Sequence, residues 1–215
     1  MFGPGLDPAT FLLRLAIALP GLLLAIAFHE FSHAWVAVRR GDDTPAHDGR
    51  LTMNPLAHID PIGALMLVLA GFGWAKPVQV RGGNLKHPLG DMALVALAGP
   101  VANVLLAVVS AVVWRVMEET GSTSGPVLGP LFAMVQVCFS MNVGLAVFNL
   151  IPLPPLDGSR VLVWLLPARA AEPVARLEPI APLILLVLLF SGVLSPLIRP
   201  ARDAVAVTIL RGVGL

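Results

Sequence analysis

The sequence predicts an all-α polytopic membrane protein. Of its 215 residues, 57% are hydrophobic and only 13% are charged, whereas soluble domains average about 45–50% apolar and about 25% charged residues. Several mostly apolar stretches also reach the length of about 20 residues with which a helix spans a bilayer. One small core cannot hide so many apolar residues, so lipid must cover part of the surface.

Three of these stretches predict a three-helix core. They run from Phe11 to Val38, from Met92 to Trp114 and from Val127 to Ile151. The second stretch contains no charged residue, and its Gly99-Pro100 pair predicts a kink because proline cannot donate the helical hydrogen bond.

Between the first two spans the sequence predicts a re-entrant insert with a short β element. The uncharged stretch Pro61–Ala75 is short for a span. Basic residues flank it on both sides, which indicates that the chain returns to the side it left. In the next segment, Lys76–Arg81, apolar and polar residues alternate at Val78, Gln79 and Val80, which is the period of a strand.

Additional helices are predicted after the core. A short amphipathic helix covers about Ser159 to Leu166, a last span runs from Ile180 to Ile198, and a surface helix covers Asp203 to Leu215. Arginines that follow the last span would lie outside, against the positive-inside rule. Either that span is itself re-entrant or a further half-turn lies near the C-terminus, so the orientation of the span and of the C-terminus is left open.

The chain is predicted to form one membrane-embedded domain over residues 1–215, with a core of about residues 11–166 and C-terminal helices over about residues 180–215. The formal net charge of +1 lacks the basic excess of a nucleic-acid-binding protein. Cys138 is the only cysteine, which excludes an intrachain disulfide and a cysteine-rich metal site. In its apolar setting we expect it to be buried.

His29-Glu30-Phe31-Ser32-His33 forms an HExxH pattern inside the first span. Residues four apart return to within about 40° of each other on a helix, so both imidazoles project from one face and can share a zinc ion. Glu30 lies beside that face, where its carboxylate can take a proton from a zinc-activated water. Such patterns arise by chance in soluble helices, but ionisable groups inside an apolar span are costly and usually functional.

A third ligand is needed, because catalytic zinc sites normally use three protein ligands and keep one position open. Asp157 is the candidate, since it is the only acidic residue between Glu119 and Glu172 and follows an apolar span. Irregular backbone at membrane depth is tolerated only beside protein or a wet cavity. The alternative is that Asp157 caps the helix beginning near Ser159, and the residues alone leave both roles open. Three helix-breaking prolines precede it, namely Pro152, Pro154 and Pro155.

Taken together, the motifs resemble the site-2 protease family of intramembrane zinc metalloproteases, peptidase family M50. HEFSH in the first span and NLIPLPPLDG after the third, which has the pattern NxxPxPxLDG, carry the resemblance. The segments NPLAHIDPIG, GWAKPV and ALAGPVANVLLA extend it over roughly Ile26 to Leu162. The sequence has no room for a PDZ domain or a pair of CBS domains, so it is similar to the short prokaryotic members.

The resemblance implies that His29, His33 and Asp157 bind zinc, that Glu30 is the catalytic base and that Asn149 lies by the active site. A buried amide at that position can hydrogen-bond a developing oxyanion. The implied reaction is hydrolysis of peptide bonds within or near transmembrane segments of membrane-protein substrates. We expect a multi-pass protein of the prokaryotic plasma membrane, with its active site nearer the cytoplasmic side and no nucleic-acid partner.

A substrate helix hides its amides in its own hydrogen bonds, so it must unwind before attack. Edge pairing with Lys76–Arg81 would hold it extended. We expect Asn103 and Asn142 to join helices by hydrogen bonds, and His58 and Asp60 to be turn and interface residues.

Two other classes of function are alternatives to proteolysis. A non-proteolytic membrane scaffold that retains the metal site would not need Glu30. A metal transporter would need several carboxylates or histidines along a path through the membrane, and Asp157 is the only obvious addition to the HExxH pair.

Overall fold

The protein is described by a computed structural model over residues 7–70 and 73–215. Within these ranges it consists of helices joined by turns and loops, which confirms the predicted all-α class. Two short 3-10 helices, Pro55–His58 and Gly82–Asn84, lie in the connections. The α-helices are α1 Pro8–Arg40, α2 Thr44–His47, α3 Pro61–Ala70, α4 Pro88–Glu119, α5 Leu128–Asn149, α6 Asp157–Leu165, α7 Ala168–Arg176, α8 Ala181–Ser191 and α9 Ser195–Val213.

Helices α1, α4 and α5 form the core, and among the described residues they are the single helices long and apolar enough to cross a membrane. They correspond to the three predicted spans, so the multi-pass architecture is confirmed. Helix α1 begins where Asp7 accepts a hydrogen bond from the Thr10 amide at 3.0 Å. It ends at Gly41, whose φ of 111° lies in the left-handed region that favours glycine.

Small side chains line the contacts among the three core helices, and we call these positions the small-residue seam. At Gly21 of α1, an added Cβ would lie 2.9 Å from the Cα atom of Cys138 on α5, and Cys138 is buried as expected. Small residues let helix backbones approach closely, which supplies the packing that holds helices together in lipid. The buried alanines of the seam are Ala25, Ala27, Ala34, Ala37, Ala93, Ala96, Ala107, Ala111 and Ala146.

Within the insert between α1 and α4, the stretch that contains α3 begins and ends at neighbouring positions. Helix α3 has ten residues, about half the length that spans a bilayer. An antiparallel bridge between Ile59 and Ala75 brings the chain back beside its starting point. Gly63 and Gly73 lie so close that a Cβ on either would collide with the opposing backbone. This geometry agrees with the predicted re-entrant insert.

The predicted strand over Lys76–Arg81 is not formed, because within the described residues the segment pairs with no neighbouring strand. The Lys76 amide donates to the His58 carbonyl at 2.8 Å, and the Val78 amide donates to Oε2 of Glu30 at 3.0 Å. Pro77, between them, has no N–H to donate. The backbone amides of Lys76 and Val78 therefore donate to the His58 carbonyl and to the Glu30 side chain, and not to a neighbouring strand.

Asp42 fixes the far end of this segment just beyond α1. Its carboxylate is fully buried and accepts the Arg81 amide at 2.6 Å and the Asn84 side-chain amide at 2.8 Å. Burial favours the neutral acid, but hydrogen bonds from Thr44, Asn84 and the Arg81 amide outweigh it and hold the pKa of Asp42 below its ordinary value. The segment is thus held by Glu30 in the C-terminal half of α1 and by Asp42 just beyond the end of that helix.

The predicted last span Ile180–Ile198 is wrong as a single helix. Helix α8 ends at Gly192, whose φ is 74°, and α9 leaves the break at 84° to α8. Hydropathy alone does not register such a glycine in an otherwise apolar stretch. The two helices together amount to at most one broken span.

Helix α9 also contains the predicted surface helix Asp203–Leu215, but it packs against the core instead of lying apart. Its apolar face meets the buried cluster formed by Ala107, Ala111, Phe139 and Val143 of α4 and α5. The predicted amphipathic helix Ser159–Leu166 corresponds to α6. The single domain over residues 1–215 stays a proposal, which the packing of α6 and α9 on α4 supports.

Candidate metal centre

His29 and His33 lie one turn apart on α1 and are both buried. Their Nε2 atoms are 3.0 Å apart. Each ring is anchored at its other nitrogen: Nδ1 of His29 lies 2.6 Å from Oδ1 of Asn103, and Nδ1 of His33 lies 2.7 Å from the Val95 carbonyl oxygen. Both anchors are on α4. The contact between α1 and α4 therefore aims the two Nε2 atoms at one point.

Asp157 reaches the same point from the first residue of α6. Its Oδ2 atom lies 3.3 Å from Nε2 of His29 and 3.4 Å from Nε2 of His33. The alternative role as a helix cap is not seen, because the capping position belongs to Leu156 and no side chain caps the helix there. Among the described residues, His29, His33 and Asp157 form the one group of histidine, cysteine and carboxylate side chains placed to hold a metal ion.

The chain after α5 turns tightly to present Asp157. An added Cβ on Gly158 would collide with the Leu150 carbonyl, so only glycine fits this approach. Leu156 packs with Leu185 of α8 and Leu194 at the α8–α9 break in a second buried cluster. The broken C-terminal helices thus support the proline-rich turn that carries the carboxylate.

The three atoms fit a tetrahedral zinc site. Ligand atoms about 2.0–2.1 Å from a tetrahedral zinc ion lie about 3.3 Å from one another, and the observed separations are 3.0, 3.3 and 3.4 Å. The Oδ2 atom of Asp157 is buried without a hydrogen-bond partner, which a cation would satisfy. Two imidazoles and one carboxylate are also a donor set of catalytic zinc sites that keep one position open.

Glu30 lies beside this group without belonging to it. Its side chain is buried, and Oε2 accepts the hydrogen bond from the Val78 amide. The contact fixes the carboxylate next to the predicted ligands and leaves it outside their cluster. This arrangement suits a proton carrier better than a fourth ligand.

Asn149, the remaining predicted site residue, is not brought into the cluster. It ends α5, and its side-chain amide donates to the Leu145 carbonyl of the same helix at 3.0 Å. Its role as an oxyanion donor stays a prediction.

Asn103 joins helices as expected, through its bonds to Ala25 of α1 and Asn142 of α5, but its additional contact with His29 is one that the sequence interpretation missed. The spacing of residues along α4 could have indicated this contact. Gly99 and Asn103 are four residues apart on α4, so they share a helix face just as His29 and His33 do. His58 and Asp60 hold the turn before α3, as expected: a His58 ring nitrogen bonds the Thr52 carbonyl, and Asp60 accepts the Gly63 amide.

Gly99 is where α4 meets the two imidazoles, so we expect Gly99→Ala to lower zinc affinity by at least about 10-fold. An added Cβ would lie 2.5 Å from Nε2 of His33 and 2.6 Å from Cε1 of His29. Either the helices separate or the rings turn away. Zinc affinity in detergent, measured by chelator competition, checks this expectation.

Gly144→Ala on α5 is the matched control, since an added Cβ there meets nothing within 4 Å. It is the same chemical change in another core helix. Equal zinc affinity of folded Gly99→Ala and Gly144→Ala would show that the close approach at Gly99 does not shape the metal centre.

Comparison with known proteins finds one family model and several similar proteins. The family model for peptidase family M50 matches residues 124–192. YwhC of Bacillus subtilis (strain 168), provisionally named a zinc metalloprotease, is 36% identical over 189 residues, which cover 86% of this chain and 86% of YwhC. Rip2 of Mycobacterium tuberculosis (strain ATCC 25618 / H37Rv), named in the same way, is 29% identical over 197 residues, or 90% of this chain and 74% of Rip2. No solved structure matches the chain.

Proposed function

Since the chain belongs to peptidase family M50, the site-2 protease family, and is a zinc metalloprotease, we propose that it cuts other membrane proteins within or near their transmembrane segments. The observation that carries the proposal is the position of the site. The three converging side chains and Glu30 lie in or directly beside helices long and apolar enough to span a membrane. A substrate with its own transmembrane helix can approach a site among such helices from within the bilayer.

In the proposed mechanism, His29, His33 and Asp157 hold the zinc ion. When bound, zinc supplies a Lewis acid that activates water and polarises the scissile carbonyl. The Glu30 carboxylate takes the proton released by the attacking water and later delivers it to the leaving amine. Because the Val78 amide binds one oxygen of that carboxylate, the base is held in a fixed orientation beside the ligands.

Asn149 is proposed to stabilise the oxyanion that forms on the substrate. To do so, its side-chain amide must exchange the Leu145 carbonyl for the substrate oxygen.

The proposed substrate is a membrane protein with a transmembrane helix that unwinds locally at the site. Edge pairing along residues 76–81 is not part of this proposal, because the predicted strand is absent and the Val78 amide is bound to Glu30. The basic residues between α1 and α4 favour a cytoplasmic location for that side of the protein. The metal centre lies toward the same side, so we place the active site nearer the cytoplasm of a prokaryotic plasma membrane.

A metal transporter is disfavoured by the arrangement of ionisable groups. A transport path needs further sites, but within residues 7–70 and 73–215 a single cluster meets the geometry for a metal ion. A scaffold with a structural metal would not need the buried Glu30 carboxylate.

The proposal is tested by mapping the bonds that the purified protein cuts. Proteoliposomes containing a bacterial membrane extract are incubated with the wild-type protein, and new peptide ends are identified by mass spectrometry. We expect ends within or near transmembrane segments that are absent with Glu30→Gln. New ends confined to soluble domains, or ends equally frequent with both proteins, would overturn the proposed substrate class.

A further inference from the structure

Two buried asparagines connect His29 to the centre of the helix bundle. Asn103 of α4 and Asn142 of α5 are fully buried. The Asn103 amide nitrogen donates to the Ala25 carbonyl at 3.1 Å and to Oδ1 of Asn142 at 2.9 Å. Asn142 in turn donates to the Cys138 carbonyl at 2.9 Å. These hydrogen bonds link α1, α4 and α5, and Asn103 also contacts the ring of His29.

The direction of each bond is determined by its backbone partner. The carbonyls of Ala25 and Cys138 can only accept, so the nitrogen of each asparagine amide must face them. This leaves Oδ1 of Asn103 facing Nδ1 of His29, 2.6 Å away. An amide oxygen only accepts, so Nδ1 of His29 carries the hydrogen. The lone pair of a neutral His29 is then on Nε2, the atom that faces Asp157 and His33.

We infer that Asn103 is a positioning residue for the metal centre: it fixes the His29 ring in the one tautomer and orientation that offers Nε2 to zinc, and the Ala25 carbonyl orients the Asn103 amide. The inference rests on the proposed function, whose zinc ligand it concerns. Histidine ligands generally donate their second ring hydrogen to an oxygen, and removal of that partner costs about 10–100-fold in metal affinity. In this chain a side-chain amide inside the membrane has that role.

Joining of helices explains only part of this pattern. The bonds from Asn103 to Ala25 and Asn142 connect three helices and are accounted for by that role. The bond to His29 is additional, and it is the shortest of the set. Replacing a residue that only joins helices changes the stability of the fold. Replacing a positioning residue also changes zinc affinity and the geometry of metal coordination.

The test compares three variants of the full-length protein in detergent, with zinc affinity from chelator competition and the visible spectrum of the Co²⁺-substituted protein as readouts. Asn103→Ser withdraws the acceptor from His29, and we expect a loss of about 10–100-fold in zinc affinity with an altered Co²⁺ spectrum. Asn142→Ser breaks the α4–α5 bond and leaves the His29 acceptor in place. The zinc affinity of Asn142→Ser should stay within about threefold of the wild-type value, with an unchanged Co²⁺ spectrum, because the Ala25 carbonyl still orients Asn103.

Asn103→Asp is the rescue variant, since its carboxylate oxygen accepts from Nδ1 of His29 but cannot donate to Ala25 or Asn142. We expect its zinc affinity and Co²⁺ spectrum to return toward wild type although the helix-joining bonds are lost. The inference is overturned if folded Asn103→Ser matches Asn142→Ser in both readouts, or if Asn103→Asp is no better than Asn103→Ser. If Asn103→Ser does not fold, the comparison of Asn103→Asp with Asn142→Ser decides, and a lower zinc affinity of Asn103→Asp overturns the inference. If the wild-type protein itself binds no zinc, it is the proposed function that fails.

Discussion

Replacing Glu30 by glutamine is expected to abolish proteolysis and to leave zinc binding intact. The glutamine has the same shape, and its side-chain oxygen can still accept the Val78 amide, so the local structure is kept. It cannot accept and release a proton at neutral pH, and loss of a general acid–base group costs about 10²–10⁴-fold in rate. Cleavage of a reconstituted membrane substrate, with zinc content measured on the same preparation, checks both halves of the expectation.

Ser32→Ala is the control for this experiment. Ser32 lies in the same motif, and its hydroxyl donates to the Phe28 carbonyl within α1 at 2.7 Å, away from the proposed ligands. We expect it to cleave at close to the wild-type rate. Wild-type cleavage by Glu30→Gln would instead mean that another group carries the proton.

Asp157→Ala is expected to reduce zinc affinity by more than about 100-fold, because it removes a predicted ligand and not merely a group that supports one. Two imidazoles 3.0 Å apart remain, and two ligands hold zinc poorly. Metal analysis after dialysis against a weak chelator should give close to one zinc ion per wild-type chain and far less for the variant.

Asp203→Ala separates this effect from a general change of charge. Asp203 is exposed and pairs with Arg202 on α9, so its removal also deletes one carboxylate but should leave zinc binding unchanged. If Asp157→Ala keeps wild-type affinity while folded, Asp157 is not a ligand and the third ligand must be sought elsewhere.

The sequence predicted the parts of the molecule that depend on local pattern. The three core spans follow from composition and length, and the spacing of His29 and His33 places both rings on one face of α1. Asp157 was harder, because the residues alone also allowed a helix cap. The resemblance to a family, and not helix geometry, favoured its assignment as a ligand.

What the sequence did not predict depends on contacts between distant segments. The alternation in Lys76–Arg81 is real, but a strand needs a partner, and the available acceptors were Glu30, Asp42 and the His58 carbonyl. The break after α8 depends on one left-handed glycine, which an apolar window does not distinguish from its neighbours. The contact of Asn103 with His29 joins residues 74 positions apart, so no local pattern reports it directly.

The small-residue seam determines how this protein can change by mutation. A single-nucleotide change in an alanine codon yields a larger residue in every case except glycine. At a fully buried position such as Ala34 or Ala107, nearly every such step pushes two helices apart. Selection there acts on side-chain volume more than on chemistry. We therefore expect the three core helices to vary freely toward lipid while the seam exchanges one small residue for another.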